Sequence, residues 1–210
     1  MDSKMINIII EALGQTIYMV FFSTLFASVL GFILGIIVTV TSPTGLRPNI
    51  FIYKSLDVII NVLRSFPFII LIVFIIPLTR AIVGTPIGET AAIVPLTIAA
   101  APFVARIIES ALKEVDPGVI EAAKSFGASN LQIIFKVMLK EAVPAIISGL
   151  TLTIINIIGY SAMAGSVGAG GLGKVAISYG YQRYQTDVMI VTVIILIIMV
   201  QGLQSLGNYL

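Results

Sequence analysis

Apolar residues run in five long stretches along this chain, at about Thr16 to Val40, Leu56 to Leu78, Thr90 to Leu112, Ala142 to Ala164 and Val188 to Leu206. A helix that crosses a bilayer needs roughly 20 mostly apolar residues, so each stretch is a candidate span. The pattern predicts an all-α, multi-pass membrane protein folded as one domain over residues 1–210. Five crossings put the two termini on opposite sides. One charged, polar island, Asp116 to Lys140, reads DPGVIEAAKSFGASNLQIIFKVMLK and separates the third stretch from the fourth.

Local chemistry predicts two short helices within that island. Asp116 caps a helix whose first position is Pro117, where the missing N–H costs nothing. Gly127 supplies the left-handed residue that ends this helix. Ser129 with Gln132 three residues on forms a capping box for the next. Val119, Ile120, Ala123 and Phe126 give the first helix an apolar face beside the charges of Glu121 and Lys124. Such a face fits the groove of a partner protein; it also fits the bilayer surface or the chain's own spans.

Composition agrees with the bilayer. At 58% hydrophobic and 10% charged, with a mean hydropathy of +1.10, there is too little polar surface to coat a water-soluble fold. The net charge of +2 and the lack of a basic patch interleaved with aromatics give no sign of nucleic-acid binding. No Cys and no His are present, which excludes disulfides, thiol nucleophiles, Cys/His zinc clusters and histidine bases. Only Lys4 precedes a short Ile-rich run broken by Glu11, and no cleavage site of small residues follows, so no removable signal peptide is expected.

Basic residues orient the spans. With the N-terminus outside, the cytoplasmic side receives Arg47, Lys54, Arg64, Arg106, Lys113, Lys124, Lys136 and Lys140, and the outer side receives Lys4, Arg80, Lys174 and Arg183. This bias puts the polar island and the C-terminus in the cytoplasm.

Inside the spans, Gly31 and Gly35 form a GxxxG pair that lets another helix approach closely. Asp57, Asn61 and Arg64 recur at helical spacing and share a face, as a buried polar network or as side chains snorkelling to the interface. Pro67, Pro77, Pro95 and Pro102 are expected to kink or end helices. Gly168, Gly170 and Gly173 spell GxGxxG, and Gly168, Gly173 and Lys174 nearly spell a P-loop. Val175 stands where a P-loop needs Ser or Thr, and no strand precedes the motif. The chain therefore has no ATP site of its own, and its glycines instead suit a tight turn after Tyr160, Ser161 and Met163.

Glu121-Ala122-Ala123, then three residues, then Gly127, resembles the EAA motif by which ABC importer permeases engage their ATPase. NVLRSFPFIILIVFIIPLTR (Asn61 to Arg80), AAIVPLTIAAAPFVAR (Ala91 to Arg106) and GYSAMAGSVGAGGLG (Gly159 to Gly173) are similar, in matching order, to the permease subunits of bacterial methionine ABC importers. One departure stands out. The general EAA pattern ends Ile-x-Leu-Pro, whereas this chain reads Val137, Met138, Leu139, Lys140 with its next proline at Pro144. A second docking helix that runs a turn longer before it breaks is the implication.

The resemblance implies a type I ABC importer permease fold in the bacterial inner membrane. Its partners would be a second copy of the chain, two copies of a cytoplasmic ATPase and an extracytoplasmic methionine-binding lipoprotein. It implies no cofactor on this chain, because ATP and Mg belong to the ATPase. It implies import of methionine, L or D, by alternating access. Glu121, with Ala122 and Ala123, would sit in the ATPase groove, and Gly127 would make the turn between docking helices. Tyr160, Ser161 and Met163 would lie near the pathway, with Met163 as a soft apolar gate or as plain packing. A self-sufficient secondary amino-acid transporter is the alternative, but five spans do not divide into equal inverted repeats. An intramembrane enzyme would need paired acids or Ser-Lys, and Asp57 has no acidic companion on its face.

Overall fold

The computed structural model describes residues 3–209, which are all-helical, with no strand among them. Helix α1 runs Ser3–Thr41. It starts well before the expected Thr16, because Glu11 lies on an exposed side and does not interrupt it. At 1.5 Å per residue it is about 58 Å long, nearly twice the hydrocarbon core of about 30 Å. Its two ends consequently serve opposite sides of the molecule.

The second stretch is not one continuous helix. Helix α2 (Ile50–Ser65) and α3 (Phe68–Phe74) meet at a bend of 106°, so the described residues hold four helices long and apolar enough to cross a membrane, or five crossings if this bent pair counts as one. Pro67 causes the break: it has no N–H, and it drives Phe66 into the extended region at φ −78°, ψ 123°. Pro77 likewise sits in the first turn of α4 (Ile76–Val83). Pro95 and Pro102 do not end their helix, because α5 (Glu89–Lys113) continues through both.

Helix α5 is the centre of the fold. Of its most apolar stretch 72% is buried, against 28% for α1 and 11% for α10 (Thr186–Tyr209). Helix α1 packs on α5 through Gly31 and Gly35, as the small-residue pair predicts. A Cβ on Gly31 would stand 2.6 Å from the Ala101 carbonyl oxygen, and one on Gly35 would stand 2.7 Å from that of Ala105. The backbones are in direct contact there. Gly35→Val should cost about 1–3 kcal/mol through overpacking and lower the melting temperature of the detergent-solubilised protein. Gly14→Ala, where nothing lies within 4 Å of the added Cβ and the backbone is helical, should not lower it.

Among the described residues a small apolar cluster of Val38, Ile60 and Ala105 joins α2 to α1 and α5, and three larger ones stack along the bundle. The middle one centres on Met19, Leu96 and Ile157. One end is built by Val104, Ile108, Leu112, Ile133 and Met138, and the other by Ile9, Ala12, Leu172, Val175 and Val188. Around them, exposed apolar side chains such as Phe21, Ile33, Ile194 and Ile198 cover the outside, a surface stable in lipid and costly in water.

Candidate functional site

The polar island forms a helical hairpin. Asp116 caps α6 (Pro117–Ser125) by accepting the Gly118 N–H at 2.7 Å, with Pro117 in the first turn. Gly127 lies at φ +77°. Around it the Gly127 N–H donates to the Lys124 carbonyl at 2.9 Å and the Ala128 N–H to the Ala123 carbonyl at 3.1 Å, which is the paired bonding of a Schellman stop. Ser129 then opens α7 (Asn130–Gln132) with a reciprocal capping box.

The second helix of the hairpin, expected to run a turn longer and then break, does not break at all. From α7 the chain passes through a wider π-helical stretch, Ile133–Met138, straight into α8 (Leu139–Ser166). Pro144 lies inside α8 without ending it. The second helix of the hairpin and α8 therefore form one continuous helical element from Asn130 to Ser166.

The apolar face of α6 is split. Ile120 and Ala123 pack onto the buried cluster at this end, whereas Val119 and Phe126 point away, Phe126 being 91% exposed. Leu131 and Phe135 on the same hairpin are exposed as well. Glu121 and Lys124 border a cavity of about 300 Å³ between α6, the end of α5 and the loop after α1. The hairpin is anchored by one side and offers aromatic and aliphatic groups on the other.

A charged seam joins α2 to α5 at the same end. Asp57 and Asn61 do come together, the Asn61 amide donating to Asp57 at 3.2 Å, but Arg64 is not their partner. It lies over the Phe103 ring, 5.0 Å from the centroid. The centre is Arg106, which pairs with Asp57 and with Glu109 and donates to Asn61 Oδ1 at 2.9 Å. Lys113 closes the row, donating to Glu109 at 2.7 Å while lying over Tyr53. The signs alternate along the seam, so each carboxylate has a cation. Arg106 and Glu109 were legible only as charges three apart within a span, a spacing at which helical side chains meet.

At the other end of α8, Tyr160 stacks on Phe68 at 4.7 Å with the rings 13° from parallel. Ser161 is buried and donates to the Ile158 carbonyl at 2.7 Å, so it turns inward and satisfies itself. Met163 is half exposed. The glycine turn that follows is tied to α1: the Gly171 N–H donates to Gln15 at 2.7 Å and the Leu172 N–H to Thr16 at 2.9 Å. The glycine-rich turn thus binds a neighbouring helix through the backbone of Gly171 and Leu172.

Residues 27–208 match the family described as binding-protein-dependent transport system inner membrane component. The chain is 52% identical over 204 residues to the probable D-methionine transport system permease protein MetI of Vibrio cholerae, covering 97% of this chain and 91% of that one. It is 46% identical to the corresponding Escherichia coli K12 permease over 79% of this chain and 76% of that one. Among solved structures, an inward-facing conformation of the MetNI methionine ABC transporter superposes with a TM-score of 0.97 at 44% identity, covering 100% of this chain and 97% of that one. An amino acid ABC transporter shares the fold with a TM-score of 0.80 at 22% identity, over 98% of this chain and 94% of that one. The chain thus belongs to the binding-protein-dependent transport system inner membrane components, as a non-catalytic permease of the group that includes the D-methionine transport permeases.

Proposed function

We propose that this chain forms the translocation pathway of an ATP-driven methionine importer. It would act as a homodimer coupled to two copies of a separate ATPase and fed by an extracytoplasmic methionine-binding lipoprotein. ATP and Mg would act on the ATPase. The observation that carries the reading is the hairpin around Gly127: it is anchored to the membrane body by Ile120 and Ala123, continuous with the fourth span, and exposed through Phe126. The named relatives and the inward-facing neighbour support methionine as substrate and an alternating-access cycle in which this conformation is the inward-facing one.

In this cycle Glu121, Ala122 and Ala123 lie at the ATPase groove, and ATP-driven closure of the partners draws the two hairpins of the dimer together. Because α7 and α8 are one rod, that motion tilts the fourth span and opens the dimer outward. Met163, half exposed on the single chain, serves as an apolar gate against the second copy. Tyr160 is positioned beside it by its stack on Phe68, and Ser161 fixes the backbone between them. The seam of Asp57, Asn61 and Arg106 holds α2 to the centre.

Methionine uptake into proteoliposomes holding the ATPase and the lipoprotein tests the reading. Gly127→Val should abolish uptake, because a β-branched residue at φ +77° costs about 1–3 kcal/mol. No atom lies within 4 Å of a Cβ there, so the effect is conformational. Glu121→Ala should slow uptake more mildly. Normal uptake in both would remove the hairpin from the transmission path.

Orientation is tested separately. With the N-terminus outside, a reporter fused after the C-terminus should read cytoplasm and one inserted at Gly84, the left-handed stop of α4, should read the outer side. The reverse result would put the hairpin beyond the reach of any cytoplasmic ATPase.

A further inference from the structure

Helices α1 and α9 (Gly171–Val175) enclose a cavity of about 170 Å³ bordered by Ile8, Glu11, Ala12, Gln15, Lys174 and Tyr179. It lies at the end of the bundle opposite the docking hairpin: Ile9 and Ala12 share their cluster with Leu172 and Val175, whereas Val40 and Leu46 share theirs with Ile120. The cavity belongs neither to the hairpin nor to the charged seam.

Its polar groups are unusually complete. Glu11 and Lys174 border the same space, yet neither belongs to an ion pair among the described residues. Both are exposed. Gln15 gives its oxygen to the Gly171 N–H at 2.7 Å, which fixes the amide and leaves its NH2 free to donate. The Arg183 guanidinium lies over the Tyr179 ring, 4.5 Å from its centroid. Ile8 and Ala12 supply an apolar wall.

Size narrows the occupant. The volume holds about five or six waters at about 30 Å³ each and falls below the roughly 300 Å³ at which pockets for drug-sized ligands begin. An occupant that uses both unpaired charges must carry one of each sign a few atoms apart. We propose that this cavity is a recognition site for a free, zwitterionic α-amino acid, with Glu11 receiving the ammonium, Lys174 and the Gln15 amide receiving the carboxylate, and the apolar wall receiving the side chain. The site rests on the transport reading only for the side of the membrane it faces. A ligand there bridges α1 to the glycine turn and so adds to the bonds from Gln15 and Thr16.

The test uses the full chain co-expressed with its ATPase, in lipid nanodiscs without any binding protein. Binding is measured for L-methionine, N-acetyl-L-methionine and L-methionine methyl ester, with empty nanodiscs subtracted. Methionine should bind roughly tenfold more tightly than either blocked form, the size of one charge-assisted hydrogen bond. Glu11→Gln should erase the discrimination against the N-acetyl form only, and Lys174→Gln the discrimination against the methyl ester only. This crossed pattern is one that general loosening of the fold cannot produce. Absent binding, equal binding of all three compounds, or loss of binding in both variants without the crossed selectivity would overturn the site. ATP-driven uptake with the lipoprotein at saturating methionine reports on the transport reading alone, so the two proposals fail separately.

Discussion

Phe126→Ala should uncouple the permease from its ATPase while leaving the membrane domain folded. Phe126 is 91% exposed and follows α6 directly at the Schellman stop, so it contributes almost nothing to the chain's own core. An exposed phenylalanine beside exposed Leu131, Phe135 and Val119 is costly in water unless another surface covers it. Aromatic anchors at interface centres are worth about 2 kcal/mol or more on truncation, which corresponds to roughly a 30-fold loss of affinity. Titrating the ATPase onto nanodisc-embedded permease should show that loss, with the thermal unfolding of the permease unchanged. Unchanged affinity would mean that the partner does not cover this face. A lowered melting temperature would mean that Phe126 packs in the assembled dimer instead.

The hairpin was legible because its determinants are local. Asp116, Gly127, Ser129 and Gln132 act through bonds to residues two or three positions away, each making the bond its chemistry predicts, and Pro117 stands in the first turn, where its missing N–H costs nothing. The third and fifth spans were legible for a similar reason, since length and apolarity alone determine them. What failed depended on partners distant in sequence or on how a proline is accommodated. Pro67 breaks its helix and Pro102 does not, although both sit in apolar runs: the first stands at the bend between α2 and α3, while the second is buried within α5, which continues through it.

The seam shows the same limit. Asp57 and Asn61 share a helical face, and that much follows from spacing. Arg64 has the same spacing, and yet the phenyl ring of Phe103 claims it, because Arg106 approaches from α5 with two carboxylates to satisfy at once. Only the fold brings residues 57 and 106 together. The exposed position of Phe126 was likewise hidden, since the period that groups it with Ile120 and Ala123 does not say which part of a broad apolar face a partner covers.

Arg106→Gln should release α2 from the bundle. Helix α2 buries a single residue, Ile60, so apolar packing alone holds it weakly. Tyr53 and Leu56 pack beside the Ile60 cluster only partly buried, and a row of charged and cation–π contacts runs antiparallel along α5: Tyr53 to Lys113, Asp57 and Asn61 to Arg106, Arg64 to Phe103. Without Arg106, Glu109, whose side chain is only 6% exposed, keeps Lys113 as its one cation, and Asp57 keeps none. Removing one partner of a buried pair costs about 3–5 kcal/mol, and the lower end applies because water reaches Asp57. The chain has no cysteine, so a single Ile60→Cys thiol reports on the seam without background. With Arg106 present, that thiol should resist a maleimide; with Arg106→Gln it should label rapidly. Adding Asp57→Asn should restore part of the protection, since an uncharged pair leaves less unpaired charge behind. If labelling stays slow in Arg106→Gln, the seam does not hold α2, and its charges instead serve a surface that the second copy covers.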